Sequence, residues 1–257
     1  MIDKKQFLDY FTYEDKNRLS QIYDKILFCN KTGITTFTEE FFTPLVWKVL
    51  QGLRDSLPVQ ISSNGVFMQS ERRIIAFSID QVWEYPIVLL RIKSKSSFKK
   101  LSHKDFLGAL MSLGIRREKI GDLIIYENCC FVTVSEGLEN FILCNLISVG
   151  NCPCEVEIVD IYSEYIPDYN FEDLNLISTS LRLDCIVSSI INLSRNKSLE
   201  LISSGRVLLN YMTVREKNKI VQKQDIITIR GFGKYKFIED FGFTNSGRLR
   251  VLIKKFV

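Results

Sequence analysis

Through residues 1–57, apolar side chains recur three and four positions apart. Phe7, Leu8 and Phe11, then Leu19, Ile22, Tyr23, Ile26 and Leu27, each mark one stripe of a helix. Thr32-Gly33 interrupts the pattern. Thr43-Pro44 restarts it, with Thr43 as N-cap and Pro44 in the first helical position. Leu45, Val46, Val49, Leu50 and Leu53 give that helix its buried side, a packing surface rather than a cofactor cleft.

Beyond residue 58 the period shortens. Strand-like runs fall at Arg73–Ile79, Ile87–Ile92, Leu123–Tyr126, Phe131–Val134 and Val156–Val159. A helix capped by Ser102, with Asp105 three residues on, turns Phe106, Leu107, Leu110 and Leu113 inward and ends at Gly114. A second helix is predicted from about Glu136 to Val149, burying Leu138, Phe141, Ile142, Leu146 and Val149. The order β-α-β-β-α-β from Ile87 to Val159 describes a ferredoxin-like domain with the topology of RNA-recognition motifs. In those motifs the third strand carries exposed aromatic stacking positions. Here it reads Cys129-Cys130-Phe131-Val132-Thr133-Val134, and no such platform is evident. Residues 163–179, with Pro167-Asp168 and Glu172-Asp173, read as a polar linker.

The C-terminal pattern is two short helices followed by strands. Leu183, Ile186, Val187, Ile190 and Ile191 share a face. Ser194 caps the next helix, whose opening turn carries Arg195 and Lys197, cations that oppose the helix dipole unless an anion docks there. Leu201 and Ile202 point inward, and Gly205 suits the left-handed position after the helix. Arg206–Asn210 is strand-like, Asn210-Tyr211 and Gln224-Asp225 are turns, and Ile226–Ile229 is a further strand. Lys234 and Lys236 alternate with Tyr235 and Phe237, and Arg248 and Arg250 with Leu249 and Val251. One face of each strand is thus basic and the other apolar.

Charge sharpens this division. The 257-residue chain has a net charge of only +4. Residues 180–257 hold 15 Lys and Arg against 6 Asp and Glu, a net of +9, and residues 1–179 carry the compensating −5. A basic lobe on an acidic body suggests a polyanionic partner at the C-terminal end. Seven scattered cysteines read as reduced core residues, and a single histidine, His103, leaves no metal-ligand spacing. The polar start and short apolar runs predict a soluble, cytoplasmic protein with no membrane partner, taken as a monomer. No nucleotide-binding or nucleophile motif is present, and neither cofactor nor metal is expected.

Residues 182–231 closely resemble the S4 RNA-binding domain: Arg182-Leu183-Asp184, Ser194-Arg195, Leu201-Ile202-x-x-Gly205-Arg206-Val207-x-x-Asn210 and Asp225-x-Ile227-x-Ile229-x-Gly231. Leu101–Leu110 and Gly114–Asp122, with the tail Arg230–Phe237 and Gly247–Val251, are similar to YlmH-type bacterial S4 proteins. Together with the patterns above, the resemblance implies an α+β chain of four parts. These are a mainly helical region at 1–82, the ferredoxin-like domain at 84–162, a linker at 163–179, and an S4 domain of two helices and a small sheet, with a β tail, at 180–257. It also implies a ribosome-associated factor without catalysis, holding ribosomal RNA and tRNA on the large subunit during quality control. The alternative is an RNA-modifying enzyme of pseudouridine-synthase type, because Arg182-Leu183-Asp184 resembles the sequence around that catalytic aspartate. Asp184 here opens the S4 helix and is read as architectural. The resemblance assigns RNA contact to Arg182, Ser194, Arg195, Lys197 and Asn210. Charge and strand alternation add Arg206, Lys217, Lys234 and Lys236, and Arg116, Arg117 and Lys119 form a possible second contact. The second S4 helix in that family usually has Ala where Ser198 stands.

Overall fold

The computed structural model describes residues 2–11, 15–95 and 101–256, and the chain separates into Met1–Asp168 and Tyr169–Val257. In the first unit α1 (Lys4–Asp9), α2 (Lys16–Thr32) and α3 (Pro44–Gly52) follow the apolar periodicity. Asp3 caps α1 and Asp15 caps α2 through backbone N–H groups, and α2 ends on Gly33 at φ 72°, a left-handed position that favours glycine. Phe7, Leu19, Ile22, Ile26, Val46 and Leu50 are buried together against Ile75 and Phe77. Those last two belong to a small antiparallel sheet: β1 (Thr36–Phe37), β2 (Gln60–Asn64) and β3 (Ile74–Ser78), in the order β1-β3-β2. The region expected to be mainly helical therefore folds around strands as well. The polar β2, Gln-Ile-Ser-Ser-Asn, shows no apolar alternation and pairs with β3 through its backbone over five positions.

The same unit continues with β4 (Ile87–Ser94), α4 (His103–Ser112), β5 (Ile120–Tyr126), β6 (Cys129–Ser135), α5 (Glu139–Asn145), β7 (Ser148–Val149) and β8 (Cys152–Val159). They form an antiparallel sheet in the order β5-β6-β4-β8-β7. One face, with Leu90, Ile92, Cys130 and Val132, packs on Phe106 and Leu110 of α4 and Ile142 of α5. α5 is shorter than its apolar pattern predicts. Its continuation is drawn into the sheet edge, where Ser148 pairs with Pro153 and Cys154 donates to the Ile147 carbonyl, and Phe141 is left 44% exposed. The other face of the sheet receives the N-terminal segment. Phe41 donates to the Glu118 carbonyl at 2.7 Å, and its ring occupies the space that a Cβ on Gly121 would need. Asp122, almost fully buried, accepts from the backbone of Glu71 and Arg72.

The second unit starts earlier than the sequence suggested. Residues 171–178, expected to lie within a linker, form β9 (Phe171–Ser178). It is followed by α6 (Leu183–Ile191), α7 (Arg195–Ser203), β10 (Val207–Leu209), β11 (Met212–Thr213), β12 (Ile226–Ile229), β13 (Gly233–Phe243) and β14 (Leu249–Phe256). The antiparallel sheet runs β11-β10-β12-β13-β14-β9. β9 pairs with β14 along its whole length, from Ser178 opposite Leu249 to Phe171 opposite Phe256. Its acidic residues disguise it. Glu172 and Asp173 look like solvated linker, yet Leu174 and Leu176 alternate onto the core, and Glu172 pairs with Lys255 at 3.1 Å. That core lies between the helices and one sheet face: Leu183, Ile186, Val187, Leu201 and Ile202 meet Val207, Ile227, Tyr235, Phe237, Val251 and Ile253.

Candidate nucleic-acid interface

Local sequence chemistry brings the two helix starts together. α6 begins after Arg182, and Asp184 lies in its first turn. α6 stops at Asn192, whose φ of 50° is a left-handed conformation that asparagine tolerates. The chain then reverses, and Ser194 caps α7 by accepting from the Lys197 N–H. This reversal sets Arg195 beside Asp184. The Asp184 carboxylate is 1% exposed and accepts from Arg182 through Nε at 3.1 Å and Nη2 at 3.2 Å. Its Oδ2 also accepts from Arg195 Nε at 2.9 Å. Burial pushes the Asp184 carboxyl up, but the hydrogen bonds from Arg182 and then Arg195 outweigh it and hold the group below the usual aspartate range. The same hydrogen bond raises the Arg195 guanidinium. One carboxylate thus orients two guanidiniums and leaves the trio with a net positive charge. Arg182 stays 35% and Arg195 54% exposed, so both can still reach a ligand.

Two further contacts fix this geometry. The Ser198 hydroxyl is fully buried, with the Asp184 carbonyl 2.9 Å away and the Arg195 carbonyl 2.8 Å away, and so bolts α7 to α6. The loop after β11 crosses the start of α6. Leu183 donates to the Lys219 carbonyl and Asp184 to the Lys217 carbonyl, at 2.8 and 3.3 Å. Arg182 and Arg195 therefore meet on one buried carboxylate, with Ser194 capping the adjacent helix start and the Lys217 backbone crossing the start of α6. Lys197 also pairs with Glu200 at 2.8 Å on the exposed side of α7. The convergence of Arg195 on Asp184 was not anticipated from sequence, because nothing in an eleven-residue separation signals the helix reversal between them.

The remaining expected residues fall elsewhere. Asn210 sits in a two-residue hairpin turn with Tyr211, at φ 49° and 71°. Its amide donates to Asp225 at 2.7 Å and its oxygen accepts from the Ile226 N–H at 2.9 Å, so the side chain locks two turns together. Arg206 donates to the Arg230 carbonyl at 3.1 Å, bracing the turn at Gly231. Lys234 and Lys236 alternate with the buried Tyr235 and Phe237. They therefore project from the sheet face opposite α6 and α7, away from Asp184. The Arg116, Arg117 and Lys119 cluster has intramolecular work in the first unit. Arg116 pairs with Glu40 at 2.6 Å, Arg117 donates to the Gly121 carbonyl at 3.1 Å, and Lys119 donates to the Glu39 carbonyl at 2.8 Å. Arg116 and Lys119 thus tie the N-terminal segment to the sheet, while Arg117 braces the start of β5.

The outer face of the five-stranded sheet is also occupied. Phe131 is 4% exposed, and Arg91 lies 6.0 Å from its ring, paired with Glu157 and Glu164. The hydrogen bond to Glu157 raises Arg91 and lowers Glu157. No helix among the described residues is long and apolar enough to cross a membrane.

Residues 81–163 match the family model described as "Putative RNA-binding domain in YlmH". The chain is 27% identical over 220 residues to "Ribosome-associated protein quality control protein P2" of Bacillus subtilis (strain 168), across 84% of this chain and 86% of that protein. Residues 81–163 are thus similar to the RNA-binding domain of YlmH proteins. A solved structure of the cell division protein ylmH from Streptococcus pneumoniae is 23% identical to this chain, with a TM-score of 0.49 over 61% of this chain and 97% of that one.

Proposed function

We infer that this chain is a YlmH-type, non-catalytic factor that binds structured ribosomal RNA, together with tRNA, on the large ribosomal subunit during quality control. The reading takes residues 169–257 as an S4 RNA-binding domain extended by β9, and residues 84–162 as a ferredoxin-like domain. The observation that carries it is the Asp184-held pair of guanidiniums beside the capped start of α7. A preset pair of planar cations beside a helix N-terminus suits the phosphates of a folded RNA, whose backbone geometry is fixed. The 84% overlap with a relative named for ribosome-associated quality control supports the setting.

The same geometry weighs against the modifying-enzyme alternative. A nucleophilic or base carboxylate must reach its substrate, whereas Asp184 is buried and engaged by two arginines. The test is the double variant Arg195→Ala/Lys197→Ala. RNA affinity should fall at least tenfold, and the log–log salt slope should shrink by about 1.4–1.8 as two phosphate contacts are lost. Unchanged affinity for ribosomal subunits, with the circular-dichroism spectrum intact, defeats the assignment.

A further inference from the structure

The sheet of the second unit has two faces, and only one is covered by α6 and α7. The other carries a pattern that the helix-side site does not use. β-register places residues in rows across the strands. One row runs from Leu208 through Thr228 to Lys234, and on β14 and β9 reaches Phe256 opposite Phe171. The next runs Ile226, Lys236, Lys254, Asp173. Two residues along a strand separate these rows by about 6.8 Å.

The first row is aromatic and cationic together. Phe171 and Phe256 meet edge to face with centroids 4.9 Å apart, and Tyr169 stands 5.8 Å from Phe256. The Lys234 ammonium lies 5.0 Å from the Phe256 ring and 5.0 Å from the Tyr211 ring. The four rings are half-buried, so each keeps surface open to solvent. In the second row Lys236 is the direct cross-strand partner of Lys254. Like charges in that relation destabilise a sheet. Asp173 offsets this weakly, 3.9 Å from Lys254, and Lys236 has no carboxylate partner among the described residues. Arg250, two residues before Leu252 on the same face, is likewise without one. A sheet that holds such a lysine pair beside exposed ring surface is arranged for an anion that also stacks.

We propose that this face is a second RNA surface, which takes an unpaired strand. Its bases stack on the Tyr211 and Phe256–Phe171–Tyr169 rings, and its phosphates sit at Lys236, Lys254 and Lys234. An unpaired strand is favoured over a duplex because a paired stem hides the ring faces of its bases, and stacking platforms need them splayed. Stacking reads no sequence, so the surface accepts single strands of any composition with a bias only toward flexible ones. The two faces then divide the labour: the Asp184 side grips a folded element and the sheet side holds a strand leaving it.

The experiment uses the full chain and two labelled probes, a twelve-nucleotide oligouridylate and an RNA hairpin. Lys236→Gln/Lys254→Gln should weaken oligouridylate binding at least tenfold and reduce its salt slope by about 1.4, the value for two single-strand phosphates. Phe256→Leu, which keeps packing volume, should weaken it several-fold, and neither variant should move hairpin affinity by more than threefold. Arg195→Ala/Lys197→Ala should do the reverse. As a check independent of folding in the variants, 4-thiouridine oligomers irradiated on the unaltered protein should crosslink to peptides containing Tyr211 or Phe256. Oligouridylate binding that is absent, insensitive to both variants, or displaced by polyglutamate at equal charge overturns the proposal while leaving the helix-side reading in place. Equal loss of both probes in the lysine variant overturns it too, by making the face part of one footprint. A hairpin that fails to bind while oligouridylate still responds to the sheet variants overturns the helix-side reading alone.

Discussion

Asp184 connects charge, packing and binding in a single side chain. Replacing it with Asn keeps its shape and removes the charge that holds Arg182 and Arg195. The expected cost is about 1–3 kcal/mol, the range for leaving partners of a buried group unmatched, or a drop of roughly 4–8 °C per kcal/mol in a unit of this size. The pH dependence has a definite sign. The folded carboxyl lies below the ordinary 3.8, so its contribution is present above that value and is lost as pH falls from there through the folded value. Acid melts below pH 3.8 should therefore be steeper for the unaltered protein than for Asp184→Asn. Equal slopes would show that the carboxylate is not held by the arginines in solution. The same variant tests the enzymatic alternative: nucleoside mass analysis of RNA incubated with the protein should show no new modification that depends on Asp184. Ser198 belongs to the same group of residues. The family it resembles usually has Ala at this position, and the structure gives the serine hydroxyl the Asp184 carbonyl as a partner.

Elements with a strong period were legible, and elements defined by their neighbours were not. α2, α4 and α6 show their apolar faces in sequence, and Gly33, Gly114 and Gly205 mark ends because each adopts a positive φ. The two-residue turn at Asn210-Tyr211 could also be read from its residue types. β2 and β9 could not. β2 has polar residues that give no apolar alternation and is held by backbone pairing to β3, the next strand, whereas β9 is held by β14, some seventy residues on, and no local signal reports such a partner. The helix-side site was legible in its residue types but not in its assembly. Arg195 was visible as a cation at a helix start, while its place on Asp184 depends on the reversal at Asn192. This has a consequence for fragments. A piece covering 169–257 should melt cooperatively and at higher temperature than one covering 180–257, because the shorter piece strips β9 from β14 and bares Val251 and Ile253. Identical melting curves would show that β9 adds nothing to the unit.

Over the whole molecule, net charge is a poor guide to which cations are available. The basic surplus of residues 180–257 stands out in sequence, and in the cluster at Arg116–Lys119, read as a possible second RNA contact, Arg116 and Lys119 bond to the N-terminal segment. Arg116→Ala/Lys119→Ala should leave hairpin affinity within threefold and lower the melting free energy of the first unit by about 1 kcal/mol, the usual scale for exposed pairs. A tenfold loss of RNA affinity would return that cluster to the interface. One topological fact also bears on biogenesis. β9 is made first among the strands of its sheet, yet its one neighbour among the described residues, β14, is made last. During vectorial synthesis the Phe171–Ser178 segment must wait, with an open hydrogen-bonding edge and a row of leucines, until nearly all the intervening polypeptide has emerged. An unpaired strand edge of this kind invites pairing with other chains, so shielding it while translation finishes is expected to raise the yield of folded protein.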